Sequence, residues 1–471
     1  MKILRISPIF LGFALLAPGA ARADILTLDQ CMRAALKSNP DSAIATIEMD
    51  AVSAKRKSAR GAWGPRLKLD LSAQRWDSAL GLSFFAPLML ACTNCVWNDN
   101  PNATTTINGQ TVPVPTQQQL SASLDVRAQY TYSFGVTLAQ PLTSLWTVRE
   151  ANELAKLGID VAEIKRKATR RDVAYQVAEA YYRLLQVKRM AEVAQQSVEQ
   201  VTAQVQRARS FLEQGVVARN DVLRAELGLA ASKQRLIQAR GNVILARGRL
   251  ATLMGLPPDS DIDAAAIDGD PAITPPIPAT QAEQQAVASR FELKELGLQA
   301  EMAQTSVRLA KSKMLPQINA VANYTHAQGS AFQLNDSWFI GGMASWDIWE
   351  GGSTYYGIDE AKSRVAQASA ARKKAEDMIR LDARSAHVGV TTAAEALDVA
   401  TSAVASAEEN FRIEQRRYES ASNTSFDVLD AETQLTTARG QHEAAIYEYL
   451  IARSNLARAM GEIPSVVKSA L

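Results

Sequence analysis

The chain has 471 residues, with 51 Lys and Arg against 49 Asp and Glu, a balance that gives no global attraction to nucleic acid. Three cysteines and three scattered histidines (His326, His387, His442) exclude a disulfide-dense scaffold and supply no metal cluster. Beyond the N-terminus, charged residues interrupt every apolar stretch, which excludes a membrane-spanning helix.

Residues 1–23 read as a secretory signal peptide. Lys2 and Arg5 precede an apolar run from Ile6 to Ala17, and Ala21-Arg22-Ala23 is a small-residue exit. Cleavage after Ala23 would remove three positive charges and take the net charge from +2 to −1. Cys31 does not follow the cleavage point, so it cannot carry an N-terminal lipid.

From Thr27 to about Arg60 the pattern is helical, opened by the Thr27-Leu28-Asp29-Gln30 cap and stopped before Pro65. The period then changes from 3.6 to 2. Over about 66–76, Leu67, Leu69, Leu71 and Ala73 alternate with Lys68, Asp70, Ser72 and Gln74. Over about 126–140, Val126, Ala128, Tyr130, Tyr132, Phe134, Val136 and Leu138 alternate with polar or small residues. Strands of ten or more residues with aromatics on one face fit a membrane barrel better than a soluble sandwich, whose strands average five or six residues. The Pro-, Asn- and Thr-rich interval between them reads as loop, and its Cys92 and Cys95 are placed for a local disulfide.

A helical hairpin is expected over 149–254, turning at Gly215-Val216-Val217-Ala218 and ending at Gly255 ahead of Pro257-Pro258. Its outward limb, about 65 residues and roughly 95 Å, demands coiled-coil packing. Residues 257–280 read as a linker or irregular belt outside the core. Strands follow at about 316–326 and 337–349, then a second hairpin at 358–460, turning near Ser420 to Thr424, and a tail over 462–471. Trp338, Trp346 and Trp349 suit an interfacial aromatic belt, as do Tyr130, Tyr132 and Phe134.

The chain is therefore duplicated: 24–256 and 281–461 are two copies. Asp221–Glu226 recurs at Asp427–Glu432, and an ungapped offset of 206 carries Met254-Gly255 onto Met460-Gly461, with 13 of 35 positions identical. Pro65 maps to Pro316 at an offset of 251, so the first copy holds a 45-residue insert between its strands. Four strands cannot close a barrel, and an open edge cannot face lipid, so several chains must share one. Two chains would give a filled barrel of eight strands; three would give twelve with room for a pore.

These residues resemble the TolC, or outer membrane efflux protein, family. The likeness is carried by Leu26-Thr27-Leu28-Asp29-Gln30 with Ser38-Asn39-Pro40, Gln140-Pro141-Leu142 and Ala174–Leu185. Trp346-Asp347-Ile348-Trp349-Glu350-Gly351-Gly352 and the two Asp-Val-Leu-x-Ala-Glu turns add to it, so that it spans essentially the whole mature chain. It implies an α+β membrane protein: a homotrimer with a 12-stranded outer-membrane β-barrel, four strands per chain, continued by a 12-helix periplasmic α-barrel with a mixed equatorial belt. It implies an exit duct without cofactor, fed by a periplasmic adaptor and a proton-driven or ATP-driven inner-membrane transporter, exporting small molecules or proteins. Asp427 and Asp430, three apart on one helix face, match the family's entrance aspartates; three copies of each would form carboxylate rings favouring cations. As ordinary residues they are first-turn acids favoured by the helix dipole. Asp221 and Tyr418 match a gate lock whose Arg falls here on Asn423, a departure that Arg416, Arg417 or Arg219 could make good. Gly215, Val216, Val217 and Ala218 resemble the tip that docks an adaptor; as plain chemistry they are a helix–helix turn. No nucleophile–base pair or phosphate loop suggests an enzyme. A gated passive porin and a soluble periplasmic coiled-coil scaffold are the competing readings.

Overall fold

A computed structural model of the protein describes residues 24–87, 102, 104–113, 119–267, 271–330, 335–420 and 422–469. The signal-peptide reading, Cys92 and Cys95 lie outside these residues. The elements run β1 (Asp24–Leu26), α1 (Leu28–Ser38), α2 (Pro40–Gly61), β2 (Arg66–Arg75), β3 (Leu80–Pro87), β4 (Thr104–Ile107), β5 (Gln110–Pro113), β6 (Gln119–Pro141), α3 (Leu145–Glu213) and α4 (Arg219–Leu253). The second half follows as β7 (Ile262–Ala264), α5 (Ala279–Ser289), α6 (Phe291–Ser312), β8 (Gln317–Ser330), β9 (Asp336–Ser345), α7 (Ser353–Glu419), α8 (Ser425–Ala459) and α9 (Ser465–Lys468).

These pack into two compact units that cut across the repeats. One is made of the described residues of Met1–Ala54, Lys156–Gln304 and Ser363–Leu471, the other of those of Lys55–Ala155 and Thr305–Lys362.

The second unit is an antiparallel sheet in the order β2-β6-β8-β9. Its register places Leu67, Leu138, Ala322 and Ile340 in one row, and Leu69, Val136, Tyr324 and Trp338 in another. Because side chains alternate across a strand, the neighbouring rows fall on the opposite face: Lys68, Thr137, Asn323 and Phe339, then Asp70, Gly135, Thr325 and Ser337. One face is thus nearly all apolar and the other mostly polar, with Asn323 Nδ2 donating to Thr137 Oγ1 at 2.9 Å. The apolar face is open: Leu67, Leu71, Trp338 and Ile340 are all at least 70% exposed.

The interval expected to be loop is partly strand. β3 pairs with the N-terminal half of β6, end to end with β2 on the same edge, and β4 and β5 form a separate hairpin. Asn108 and Gly109, both at positive φ, make the two-residue turn that such a hairpin favours. The single long strand β6 organises this edge, while β2 and β3 are interrupted around Asp77-Ser78.

The first unit is helical. α3 has 69 residues and α7 has 67, each about 100 Å long, and each turns back into a 35-residue helix. Both return helices end in the same Schellman arrangement. Leu256 N–H donates to Ala251 C=O and Gly255 N–H to Thr252 C=O; Glu462 and Gly461 repeat these bonds to Ala457 and Arg458, 206 residues on. Gly255 and Gly461 have φ of 74° and 76°.

The helix expected from Thr27 to Arg60 is two helices, broken at Asn39. Pro40 occupies the first turn of α2, where its missing N–H costs nothing, and Asn39 Oδ1 accepts from Asp41 N at 2.8 Å. The break recurs at an offset of 251, between Ser289 and Phe291. There Arg290 NH1 donates to Ala459 C=O at 3.3 Å, as Asn39 Nδ2 donates to Leu253 C=O at 2.8 Å. Leu253 and Ala459 are themselves 206 apart, so both copies use the break to satisfy a terminal helix carbonyl.

Part of the segment expected to be linker lies in the core. β7 pairs in parallel with β1, and Ile262 and Ala264 join Cys31, Met32, Leu36, Tyr181, Leu184, Leu250, Val466 and Val467 in one buried cluster. Tyr181 Oη donates to Ala265 C=O at 2.8 Å. Burial pushes the free Cys31 thiol up to about 11, which makes it an inert packing residue.

Candidate functional site

The two helical turns lie in the first unit and hold nearly all the residues singled out from the sequence. At the first, α3 stops in a Schellman turn: Val216 N–H reaches Phe211 C=O and Gly215 N–H reaches Leu212 C=O. Gly215 has φ 74° and open space where a Cβ would stand, so its role is conformational. Val216 is half exposed, Val217 is partly covered, and Ala218 starts α4 without a side-chain cap.

At the second turn, Ser422 N–H donates to Arg417 C=O, the counterpart of the Val216 bond at an offset of 206. α8 then opens with a full cap. The amide and hydroxyl of Thr424 donate to Asp427 Oδ2 at 2.9 and 2.8 Å. Those two bonds, amide first, hold the Asp427 carboxyl below its usual range. Asp427 is therefore a capping residue within one chain. Asp430, one turn on, is exposed and takes a bond from Gln434 Nε2 at 2.7 Å.

Of the three residues read as a gate lock, the structure brings two together. Tyr418 is fully buried, its ring 5.5 Å from that of Phe211. Burial, helped by the charge of Asp221, pushes its phenol up. Among the described residues its hydroxyl has no hydrogen-bond partner, so the Tyr418–Asp221 relation is proximity without a bond. Asn423 is not part of this pair. Its Nδ2 donates to the backbone oxygen and to Oε2 of Glu414 on the same hairpin, at 3.0 and 2.6 Å. Among the proposed substitutes, Arg417 pairs with Glu414 at 3.1 Å.

Sequence reasoning missed a polar cluster beneath the turns. A cavity of about 210 Å³ is lined by Gln204, Arg207, Gln415 and Glu432, with Val201 and Phe411 among its apolar neighbours. Glu432 is buried and accepts from Ser197 Oγ at 2.5 Å and Thr436 Oγ1 at 2.8 Å. Gln204 is buried, and among the described residues neither of its amide atoms has a hydrogen-bond partner. The only sequence signal was polar residues at positions that packing requires to be apolar. Among the described residues no three His, Cys, Asp or Glu side chains gather to hold a metal.

The same helices carry exposed apolar stripes. On α4, Leu223, Leu227, Ile237 and Ile244 recur at heptad-compatible spacing; on α7, Met378, Leu381, Val388 and Val399 do the same. Two long hairpins with exposed apolar coiled-coil seams, and a sheet with one open apolar face and, among the described residues, two open edges, are the features of a membrane protein.

The sequence matches the outer membrane efflux protein family over residues 31–256 and 282–462, and the chain belongs to that family. Its place is accordingly the outer membrane. It is 24% identical over 259 residues to the outer membrane efflux protein BepC of Brucella suis, covering 54% of this chain and 56% of that protein. The chain thus spans about half the length of this curated relative. In structure it resembles the CmeC outer membrane channel of Campylobacter jejuni, with a TM-score of 0.72 at 16% identity, over 100% of this chain and 97% of that one. VceC of Vibrio cholerae gives 0.67 at 18%, over 92% and 96%.

Proposed function

We propose that three copies form one exit duct, which a periplasmic adaptor couples to an inner-membrane transporter driven by protons or ATP. The observation that carries this reading is the sheet whose two edges, β2 and β9, are unpaired among the described residues. Unpaired backbone groups cannot stand in lipid, where each costs several kcal/mol. Three four-column sheets joined edge to edge close at twelve columns, with the Leu67–Ile340 face on lipid and the Lys68, Asp70 and Thr325 face on water. Burial of the α4 and α7 stripes against neighbouring copies gives the matching twelve-helix tunnel.

In that assembly Asp430, exposed and one turn from the tip, lines the entrance and favours cations. Asp427 stands beside it while capping α8. Gly215 to Ala218 present Val216 to the adaptor. The duct has no energy source of its own, so the cargo, small molecule or protein, is chosen upstream.

Reconstitution in planar bilayers tests the gate. A low resting conductance that rises when Asp427 and Asp430 are both replaced by Ala supports the reading. Large resting conductance in the wild type, unchanged in the variant, would support a passive porin instead.

A further inference from the structure

Below β9 the chain leaves the sheet through Trp346-Asp347-Ile348-Trp349-Glu350 and meets the Lys313-Met314 turn that precedes β8. The two are tied by Trp346 Nε1 donating to Met314 C=O at 3.1 Å. They frame a groove of about 310 Å³ whose lining includes Lys313, Asp347, Trp349, Glu350 and Tyr355. Trp349 is 84% exposed, beside two carboxylates and one ammonium.

The groove continues the apolar face of the sheet. Trp338, Ile340 and Ala344 are even-numbered residues of β9 on that face, and Trp346 keeps the parity. Trp338 and Trp346 are eight residues apart, about 27 Å along a strand and about 21 Å in height at a usual barrel tilt. An apolar band of about 25 Å between two aromatic girdles is what such barrels present to a bilayer. Trp346 and the groove therefore sit at the second girdle, at headgroup level on the side where the helices begin.

The geometry points to this groove as a headgroup site for a zwitterionic ethanolamine phospholipid of the inner leaflet. Lys313 meets the phosphate, Asp347 and Glu350 take the ammonium hydrogens, and Trp349 and Tyr355 cover the glycerol and first acyl carbons. Two acids against one base disfavour a headgroup that is only anionic. A trimethylated ammonium has no N–H to give the carboxylates. The assignment rests on the apolar face meeting lipid in the proposed barrel.

Native mass spectrometry of the full-length channel in detergent, titrated with dioleoyl phosphatidylethanolamine, phosphatidylcholine or phosphatidylglycerol, tests it. The ethanolamine lipid should be retained at least tenfold better than the others. Asp347→Asn with Glu350→Gln, surface changes that preserve shape, should abolish that preference, and Lys313→Gln should weaken retention of both phosphatidylethanolamine and phosphatidylglycerol. Equal or better retention of phosphatidylglycerol, or variants indistinguishable from wild type, would overturn the site. The same spectra report the oligomer, so a failed trimer is distinguishable from a trimer that binds no ethanolamine lipid.

Discussion

Gly255 and Gly215 share a backbone conformation, φ 74°, but not surroundings, and this makes them a matched pair. An L-residue in the left-handed region costs about 1–2 kcal/mol at either position. At Gly215 nothing lies within 4 Å of the added Cβ, so Gly215→Ala should cost that much and no more. At Gly255 the Cβ would stand 2.3 Å from the Ser38 carbonyl oxygen and 2.7 Å from its carbon. Backbone must therefore move, and overpacking of this kind adds roughly 1–3 kcal/mol. Ser38 directly precedes Asn39, whose bond to the Leu253 carbonyl is worth about 1 kcal/mol and would be disturbed too. Gly255→Ala should thus lose roughly 3–6 kcal/mol in all. Helical circular dichroism, melted in detergent at one scan rate, is the assay, because such proteins unfold irreversibly. The Gly255→Ala midpoint should fall at least twice as far as that of Gly215→Ala. Equal shifts would refute the claim that Gly255 exists for the close approach of the Ser38–Pro40 break.

Three further outcomes follow from the geometry. Tyr418→Phe removes an unpartnered buried hydroxyl, so the thermal midpoint should hold or rise; a loss above about 1 kcal/mol would show that the hydroxyl is engaged in the assembly. Arg171 is buried and bonded to Asp172 and Glu292 at 2.8 and 2.9 Å, so Arg171→Met should cost about 2–4 kcal/mol by stranding the carboxylates. Adding Glu292→Met should recover part of that loss in the same melt; no recovery would count against the pair. The Asp427 carboxyl is depressed on folding, so its contribution is complete above the unfolded value of about 4 and disappears as pH falls through the lower folded value. Intrinsic-rate-corrected hydrogen exchange at the start of α8 should show protection that drops only below about pH 4, and Asp427→Ala should be less protected at pH 7 with no further acid loss.

What the sequence made legible were the features written in local chemistry. The alternation at Leu67–Ala73 and Tyr130–Leu138 marked β2 and the heart of β6, because a one-residue slip would turn every side chain to the wrong face. The duplication at Met254-Gly255 and Met460-Gly461 marked two identical helix ends. The pairing of β1 with β7 was not legible, since three-residue strands carry no period and their partners are 238 residues apart. The break at Asn39-Pro40 carried its own signal, a capping residue before Pro, which the surrounding helical pattern masked. β3 was hidden because its partner is the far end of a strand whose start the pattern did not reveal.

At the site, the Gly215 turn followed from turn chemistry and Asp427 was legible as a first-turn acid, while its bonds to Thr424 came from the structure. The attachment of Asn423 to Glu414 did not, because nine residues and a chain reversal separate them. Nor did the burial of Gln204 and Glu432, which depends on how α3 meets α8. Asp430, whose proposed role needs further copies of the chain, is visible here only as an exposed position.

The measurement that bears most directly on the duct is photocrosslinking in cells from position 217 or 422, with the captured proteins identified. An adaptor should be captured, accompanied by a proton-driven pump if the cargo is small molecules or by an ATP-driven exporter if it is protein. Efficient crosslinking between copies of the chain with no adaptor captured from either position would contradict that and favour the passive porin.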